Sequence, residues 1–309
     1  MLICKFSDTI SKTITSLTFV VILSTGLAYG LSDEEKYSIY SKGEEFFMQG
    51  EYEKALEFYE EILAQDKDYA DAIGAKGAVH HRLGNYEKAL EFYDLAISIE
   101  PRNHYFLNDR GNALLSLGKD VEAEKDLKKS LEIFPEFIDS LNGMANIHSF
   151  RQNFEKEIEY RKVVLILEPE NTEALTGAAN AFMSLKNYKK AEQYYDTVLE
   201  INPKYINAII GKANLMAELK QNNKALEYYE SALMLEPNNK NALKGKSIVL
   251  VNLAQYEEAI KINEKIDNST SIQDNKLPPW IKHVFEWFKE EKISQEEVIE
   301  VIRYLINKK

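Results

Sequence analysis

The stretch Ala70–Asn103, ADAIGAKGAVHHRLGNYEKALEFYDLAISIEPRN, decides how the rest of the chain is read. Its first part, Ala70 to Leu83, is a run of apolar and small residues. Gly84 and Asn85 break that run, as a glycine and an asparagine together mark a turn. A second run spans Tyr86 to Ile99, and Pro101 stops it, because proline cannot continue the helical hydrogen-bond ladder. The stretch predicts two helices in 34 residues, and the pattern then starts again. Pro101, Pro135, Pro169, Pro203 and Pro237 recur every 34 residues without slippage. A fixed period of that size is the mark of a solenoid.

Counted from Lys36, seven units begin at residues 36, 70, 104, 138, 172, 206 and 240. Position 8 is always small: Gly43, Gly77, Gly111, Ala145, Ala179, Ala213, Ser247. Position 20 is alanine in every unit but the fourth, which has Glu157. Position 17 is mostly aromatic (Tyr52, Tyr86, Phe154, Tyr188, Tyr256), and position 24 carries Tyr59, Tyr93, Tyr195 and Tyr229. Small residues at positions 8 and 20 let two antiparallel helices approach closely. The aromatics fill the space between one helix pair and the next.

This spacing resembles the tetratricopeptide repeat family over most of the chain. The tryptophan usual near position 4 is absent, and Leu141, Leu175 and Leu243 stand there. The fourth unit departs furthest, with Glu157 and Arg161 in place of alanine and an aromatic. Those two residues lie four apart on one helix, which predicts a partly buried ion pair with His148 near it. The resemblance implies an all-α fold, a superhelical solenoid of antiparallel helix pairs whose first helices line a concave face. Such a fold is a binding scaffold and implies no catalytic role.

Composition points the same way. The net charge is −12 and the sequence pI is about 5.1, with no basic stripe, which excludes nucleic acid as an expected partner. Cys4 is the one cysteine, so no disulfide framework or cysteine metal site is expected. The chain shows no phosphate-binding glycine loop, nucleophile elbow or metal-ligand spacing. Neither an enzyme activity, nor a cofactor, nor a bound metal is expected.

Residues 1–30 stand outside the repeats. Lys5 and Lys12 precede the apolar run Ile14–Leu27, and the small residues Ala28 and Gly30 follow it. That order is the three-part pattern of a secretory signal. The run is shorter than the ~20 residues a spanning helix prefers. Both a cleaved signal and an uncleaved membrane anchor remain open, and either places the repeats outside the cytoplasm. Ser32 and Glu35 have capping-box spacing at the start of the first helix.

The repeat domain covers 31–266. Residues 267–276 are polar and read as a linker, with Asn268-Ser269-Thr270 as an acceptor pattern for N-glycosylation. Residues 277–309 read as a separate helical hairpin carrying Trp280 and Trp287, with Ser294 and Glu297 again at capping-box spacing. Trp280-Ile281-Lys282, Trp287, Ile293-Ser294, Ile302 and Tyr304-Leu305-Ile306 resemble a short module of secreted archaeal proteins. The hairpin also suits the hydrophobic cap that a solenoid's last repeat needs.

The candidate binding site lies on the first helices. Position 9 is asparagine in four consecutive units: Asn112, Asn146, Asn180, Asn214. Position 6 is glycine in four: Gly143, Gly177, Gly211, Gly245. Glycine costs about 1 kcal/mol in a helix interior, so something must come close to the backbone there, either the adjacent helix or a ligand. Asparagine amides suit the backbone of an extended peptide, with Asn108, Asn142 and Tyr105 placed to read its side chains. Arg82 and Lys244 are isolated, which argues against capture of a peptide's C-terminal carboxylate. The sequence thus predicts an exported scaffold that binds another protein or an extended peptide. A structural envelope component without a groove ligand is the alternative.

Overall fold

The computed structural model describes residues 30–268 together with Ser294 and Glu297. The segment read as a secretory signal or anchor and nearly all of the stretch read as a C-terminal hairpin lie outside them. The regular elements among the described residues are 14 helices. They are α1 (Asp33–Met48), α2 (Tyr52–Gln65), α3 (Ala70–Arg82), α4 (Tyr86–Ile99), α5 (His104–Ser116), α6 (Asp120–Ile133), α7 (Ile138–Phe150), α8 (Phe154–Leu167), α9 (Thr172–Ser184), α10 (Tyr188–Ile201), α11 (Ile206–Glu218), α12 (Asn222–Leu235), α13 (Lys240–Asn252) and α14 (Tyr256–Asn268). Each odd-numbered helix pairs with the next as the two arms of one 34-residue repeat. The last helix runs two residues into the stretch read as a linker. The chain forms two compact units, 1–135 with three repeats and 136–309 with four.

The turn between the arms follows from one backbone conformation. Position 15 has positive φ in all seven repeats: 72° to 77° at Gly50, Gly84 and Gly118, and 57° to 60° at Gln152, Lys186, Lys220 and Ala254. This left-handed residue ends the first arm, and the next amides bond back into it, as Gly84 N does to His81 O and Asn85 N to His80 O. The first three repeats use glycine, which adopts this conformation freely. The last four hold residues with a Cβ in it, at about 1–2 kcal/mol each. Other ends are capped by side chains. Ser32 and Glu35 form the expected capping box, and Asn103, Asn171 and Asn239 accept amides of the helices they precede. Ser294 and Glu297 bond to one another in the same reciprocal way.

The core within each unit is made between arms. Ala55, Ala89, Ala123, Ala191, Ala225 and Ala259 are fully buried, as the small residue of position 20 requires. Tyr59, Tyr93, Tyr195 and Tyr229 are buried beside them, and each ring contributes about 1.5–3 kcal/mol by leaving water. A second ring pair joins positions 11 and 23 in four repeats: Phe46–Phe58, His80–Phe92, His148–Tyr160 and Phe182–Tyr194, with centroids 5.4–5.5 Å apart.

Where each tyrosine lies decides which glycine the repeat needs. Tyr59 and Tyr93 lie over position 8 of their own repeat, where a Cβ at Gly43 or Gly77 would come within 2.5–2.7 Å of the ring. Tyr195 and Tyr229 lie instead over position 6 of the following repeat, against Gly211 and Gly245. Arg161 does the same to Gly177, with Nε 2.5 Å from the place of a Cβ. The close approach behind these three glycines is therefore a side chain of the preceding repeat's second helix.

Ion pairs add a tie between repeats. In four repeats a basic residue at position 7 reaches the acid at position 25 of the repeat before it: Lys76–Glu60 at 3.1 Å, Arg110–Asp94 at 2.6 Å, Lys246–Glu230 at 2.8 Å, and Lys212–Asp196. Arg110 also grips the buried Asp126 with two nitrogens, at 2.7 and 2.8 Å.

Candidate functional site

The candidate residues divide between the two units. In the first, Asn112 is half-buried, and the exposed Tyr105 packs its ring on His104 with centroids 4.1 Å apart. Asn108 is only 3% exposed and donates Nδ2 to Asp109 Oδ1 at 3.1 Å, so its amide is turned away from the open surface. In the second unit Asn146, Asn180 and Asn214 are exposed, on α7, α9 and α11.

Each of these three has its oxygen engaged by position 24 of its own repeat. Tyr195 Oη donates to Asn180 Oδ1 at 2.5 Å, and Tyr229 Oη to Asn214 Oδ1 at 2.5 Å. In the fourth repeat Arg161 replaces the tyrosine. Its Nη2 donates to Asn146 Oδ1 at 2.6 Å and its Nη1 to Asn142 Oδ1 at 2.8 Å. The first repeat repeats the geometry with an acid, as Tyr59 Oη donates to Glu44 Oε1 at 2.6 Å. Leu127 stands at position 24 opposite Asn112 and has no hydrogen to give. The sequence places asparagine and tyrosine on facing helices but not in contact. The signal that joins them is the co-occurrence of a polar tip at position 24 with a polar acceptor at position 9.

The expected pairing of Glu157 with Arg161 takes a different form. Both are buried, at 3% and 5% exposure. Their charges attract, yet the hydrogen bonds of the guanidinium go to the two asparagines and that of the carboxylate to Ser149. Glu173 Oε1 stands 3.8 Å from the guanidinium. Burial raises the Glu157 pKa, and burial lowers that of Arg161. His148, expected close to the pair, stacks its ring on Tyr160. One consequence was not visible in the sequence. The face has a guanidinium in contact with its asparagines, supplied from the second helix rather than the first.

Electrostatics differ in the first unit. Asp71 has its pKa raised by burial, then by Glu100 and Glu44. No group of three or more histidine, cysteine or acidic residues among the described residues is placed to hold a metal ion.

Helix pairs in a fixed register, stacked by contacts to their neighbours, define a helical repeat scaffold. These repeats are tetratricopeptide repeats. Family models of that description match residues 46–108, 216–270 and 172–205. No curated protein matches the sequence. Solved structures share the fold at low identity. The chain is similar to a tetratricopeptide repeat protein from Parabacteroides merdae, with a TM-score of 0.63 and 18% identity over 77% of this chain and 94% of that one. Pseudomonas aeruginosa pilF matches with a TM-score of 0.61 and 21% identity over 68% and 96%. A chain of the APC/C hetero-tetramer Cut9-Hcn1 matches with a TM-score of 0.63 and 17% identity over 70% of this chain. The match spans 42% of that chain's length. The family-model matches end at residue 270, so the likeness of 277–309 to archaeal modules gains no match from them.

Proposed function

We propose that this chain is an exported, non-catalytic scaffold that holds another protein or an extended peptide on its first helices. The observation that carries the reading is the exposure of Asn146, Asn180 and Asn214 at one position of three successive repeats, each with its oxygen held from below. An extended chain repeats its own acceptors and can use such a series. Export follows from the order of charge, apolar run and small residues in 1–30. A structural envelope role without a groove ligand is the rival, and the C-terminal hairpin would then hold the chain in place.

Gentle pull-down from envelope extracts separates the two readings. The scaffold reading expects a stoichiometric partner, and its absence favours the envelope component. Titration of that partner against variants then locates the site. Each Asn→Ala change removes one ladder bond and weakens binding roughly threefold to tenfold. It also leaves a buried donor without its acceptor, the Tyr195 or Tyr229 hydroxyl or the Arg161 guanidinium, at about 1–3 kcal/mol of stability. Asn180→Asp and Asn214→Asp keep that acceptor, remove the outward donors and put a negative charge in their place. Unchanged affinity in Asn146→Ala together with both aspartate variants would place the ligand elsewhere.

A further inference from the structure

The asparagine series of the second unit is polarised. A guanidinium carries donors only, so Asn142 and Asn146 must turn their oxygens toward Arg161. Tyr195 and Tyr229 give their hydroxyl hydrogens to the oxygens of Asn180 and Asn214. In each amide the end left to the open face is Nδ2, and the three residues are exposed. Position 9 therefore presents its N–H donors outward and turns its oxygens inward. A ligand matched to it shows carbonyl groups at the spacing of the repeats.

That spacing selects a backbone conformation. The first helices that carry Asn180 and Asn214, α9 and α11, pack side by side. Packed helices lie about 8–10 Å apart. A β-strand shows carbonyls along one edge every second residue, or about 6.6–6.8 Å, and falls out of step. A polyproline II helix has three residues per turn and rises about 9.3 Å per turn, which keeps step. Proline also has a carbonyl and no N–H, so it loses nothing against amides whose oxygens are turned inward. We propose that Asn146, Asn180 and Asn214, oriented by Arg161, Tyr195 and Tyr229, take a proline-rich segment of a partner protein in the polyproline II conformation. The inference rests on the groove reading above and adds the ligand's conformation and the residues that orient the site.

The test is nuclear magnetic resonance of the 15N-labelled chain, observing the side-chain amides of the three asparagines. The probes are a blocked decaproline and a blocked ten-residue Gly-Ser peptide at equal concentration. Decaproline should shift all three amides saturably, and the Gly-Ser peptide should bind more weakly, because it must be ordered on the face. Tyr195→Phe with Tyr229→Phe should weaken decaproline about threefold to tenfold per hydroxyl, with the backbone spectrum unchanged. Asn180→Asp with Asn214→Asp should abolish the decaproline-induced shift of the remaining Asn146 amide while retaining the fold. Equal binding of the Gly-Ser peptide overturns the polyproline assignment and leaves the groove reading standing. Unchanged decaproline affinity in the phenylalanine variants overturns the orienting role. No shift with either probe overturns the proposal, and the groove reading then rests on the pull-down.

Discussion

Replacing the fourth repeat's two charged residues with those of its neighbours tests how the buried cation is held. Arg161 makes two charge-assisted hydrogen bonds and interacts with the Glu157 charge, at 5% and 3% exposure. Arg161→Ala removes both bonds, leaves Glu157 without its cation and opens space against Gly177. Breaking a buried charge interaction from one side costs about 3–5 kcal/mol. Glu157→Ala is milder, about 1–3 kcal/mol, because Asn142, Asn146 and Glu173 still surround the guanidinium. Arg161→Tyr gains a hydroxyl able to reach Asn146, as Tyr195 reaches Asn180 at 2.5 Å, and Gly177 already provides room for the ring. It strands the Glu157 carboxylate, at about 1–3 kcal/mol. The double variant Glu157→Ala/Arg161→Tyr restores the pattern of the fifth and sixth repeats. It should lie within about 1 kcal/mol of the parent or exceed it, as buried charge replacements often do. Urea unfolding followed by circular dichroism gives all four values and hence the coupling energy. Single-variant losses within about 0.5 kcal/mol, or a double variant as unstable as the sum of the singles, would refute the reasoning.

Four further outcomes are expected. Ala254→Gly and Lys186→Gly relieve positive φ and should raise stability by up to about 1 kcal/mol each, whereas Gly84→Ala should lower it by about 1–2 kcal/mol; thermal melts compare them. His80 has its pKa lowered by burial, then by Lys88 and Lys76, so the folded chain keeps it neutral while the unfolded chain protonates below its ordinary value of 6.5. Its stabilisation is present above that pH and lost as pH falls, and His80→Phe, the residue type of Phe46 and Phe182, should shrink the drop in melting temperature between pH 7.5 and 5.5. Asp126→Ala should cost about 1–3 kcal/mol, because Arg110 loses two of its bonds but keeps Asp94, measurable in the same urea series. N-terminal sequencing of the native protein should begin near Tyr29 or Leu31, and an intact Met1 on a soluble cytoplasmic chain would sink the export proposal.

The helix boundaries were legible because each is set locally. Pro101 and its equivalents stop second arms, and a turn pair such as Gly84-Asn85 separates arms whatever the tertiary context. The small residues at positions 8 and 20 were legible for the same reason, since steric room is a property of single positions. Direction was not legible. Nothing in the 34-residue count says whether Tyr195 lies over its own repeat or the next one, and that choice decides why Gly211 is glycine. Glu157 and Arg161 were read as partners from their spacing on one helix. Their hydrogen-bonding partners lie on the facing helix instead, in Ser149, Asn142 and Asn146. The ties between positions 7 and 25 were likewise hidden, because the two residues of each pair belong to different repeats.

The two seats for tyrosine make the order of the repeats matter to anyone who would cut and rejoin them. A copy of the second repeat placed before the fifth should be accepted, since Tyr93 seats over its own Gly77 and meets Ala113 of the repeat that follows, whose counterpart in the fifth is Ala181. The reverse splice, the fifth before the second, should fail. Tyr195 would meet Ala75 where it needs Gly211, and its own position 8 is Ala179. Tyrosines of the first kind need no glycine in the repeat behind them, whereas those of the second kind do. Truncation from the end of the chain therefore uncovers Tyr229, then Tyr195, then the Arg161 guanidinium, so the length of this scaffold is easier to change at its front than at its back.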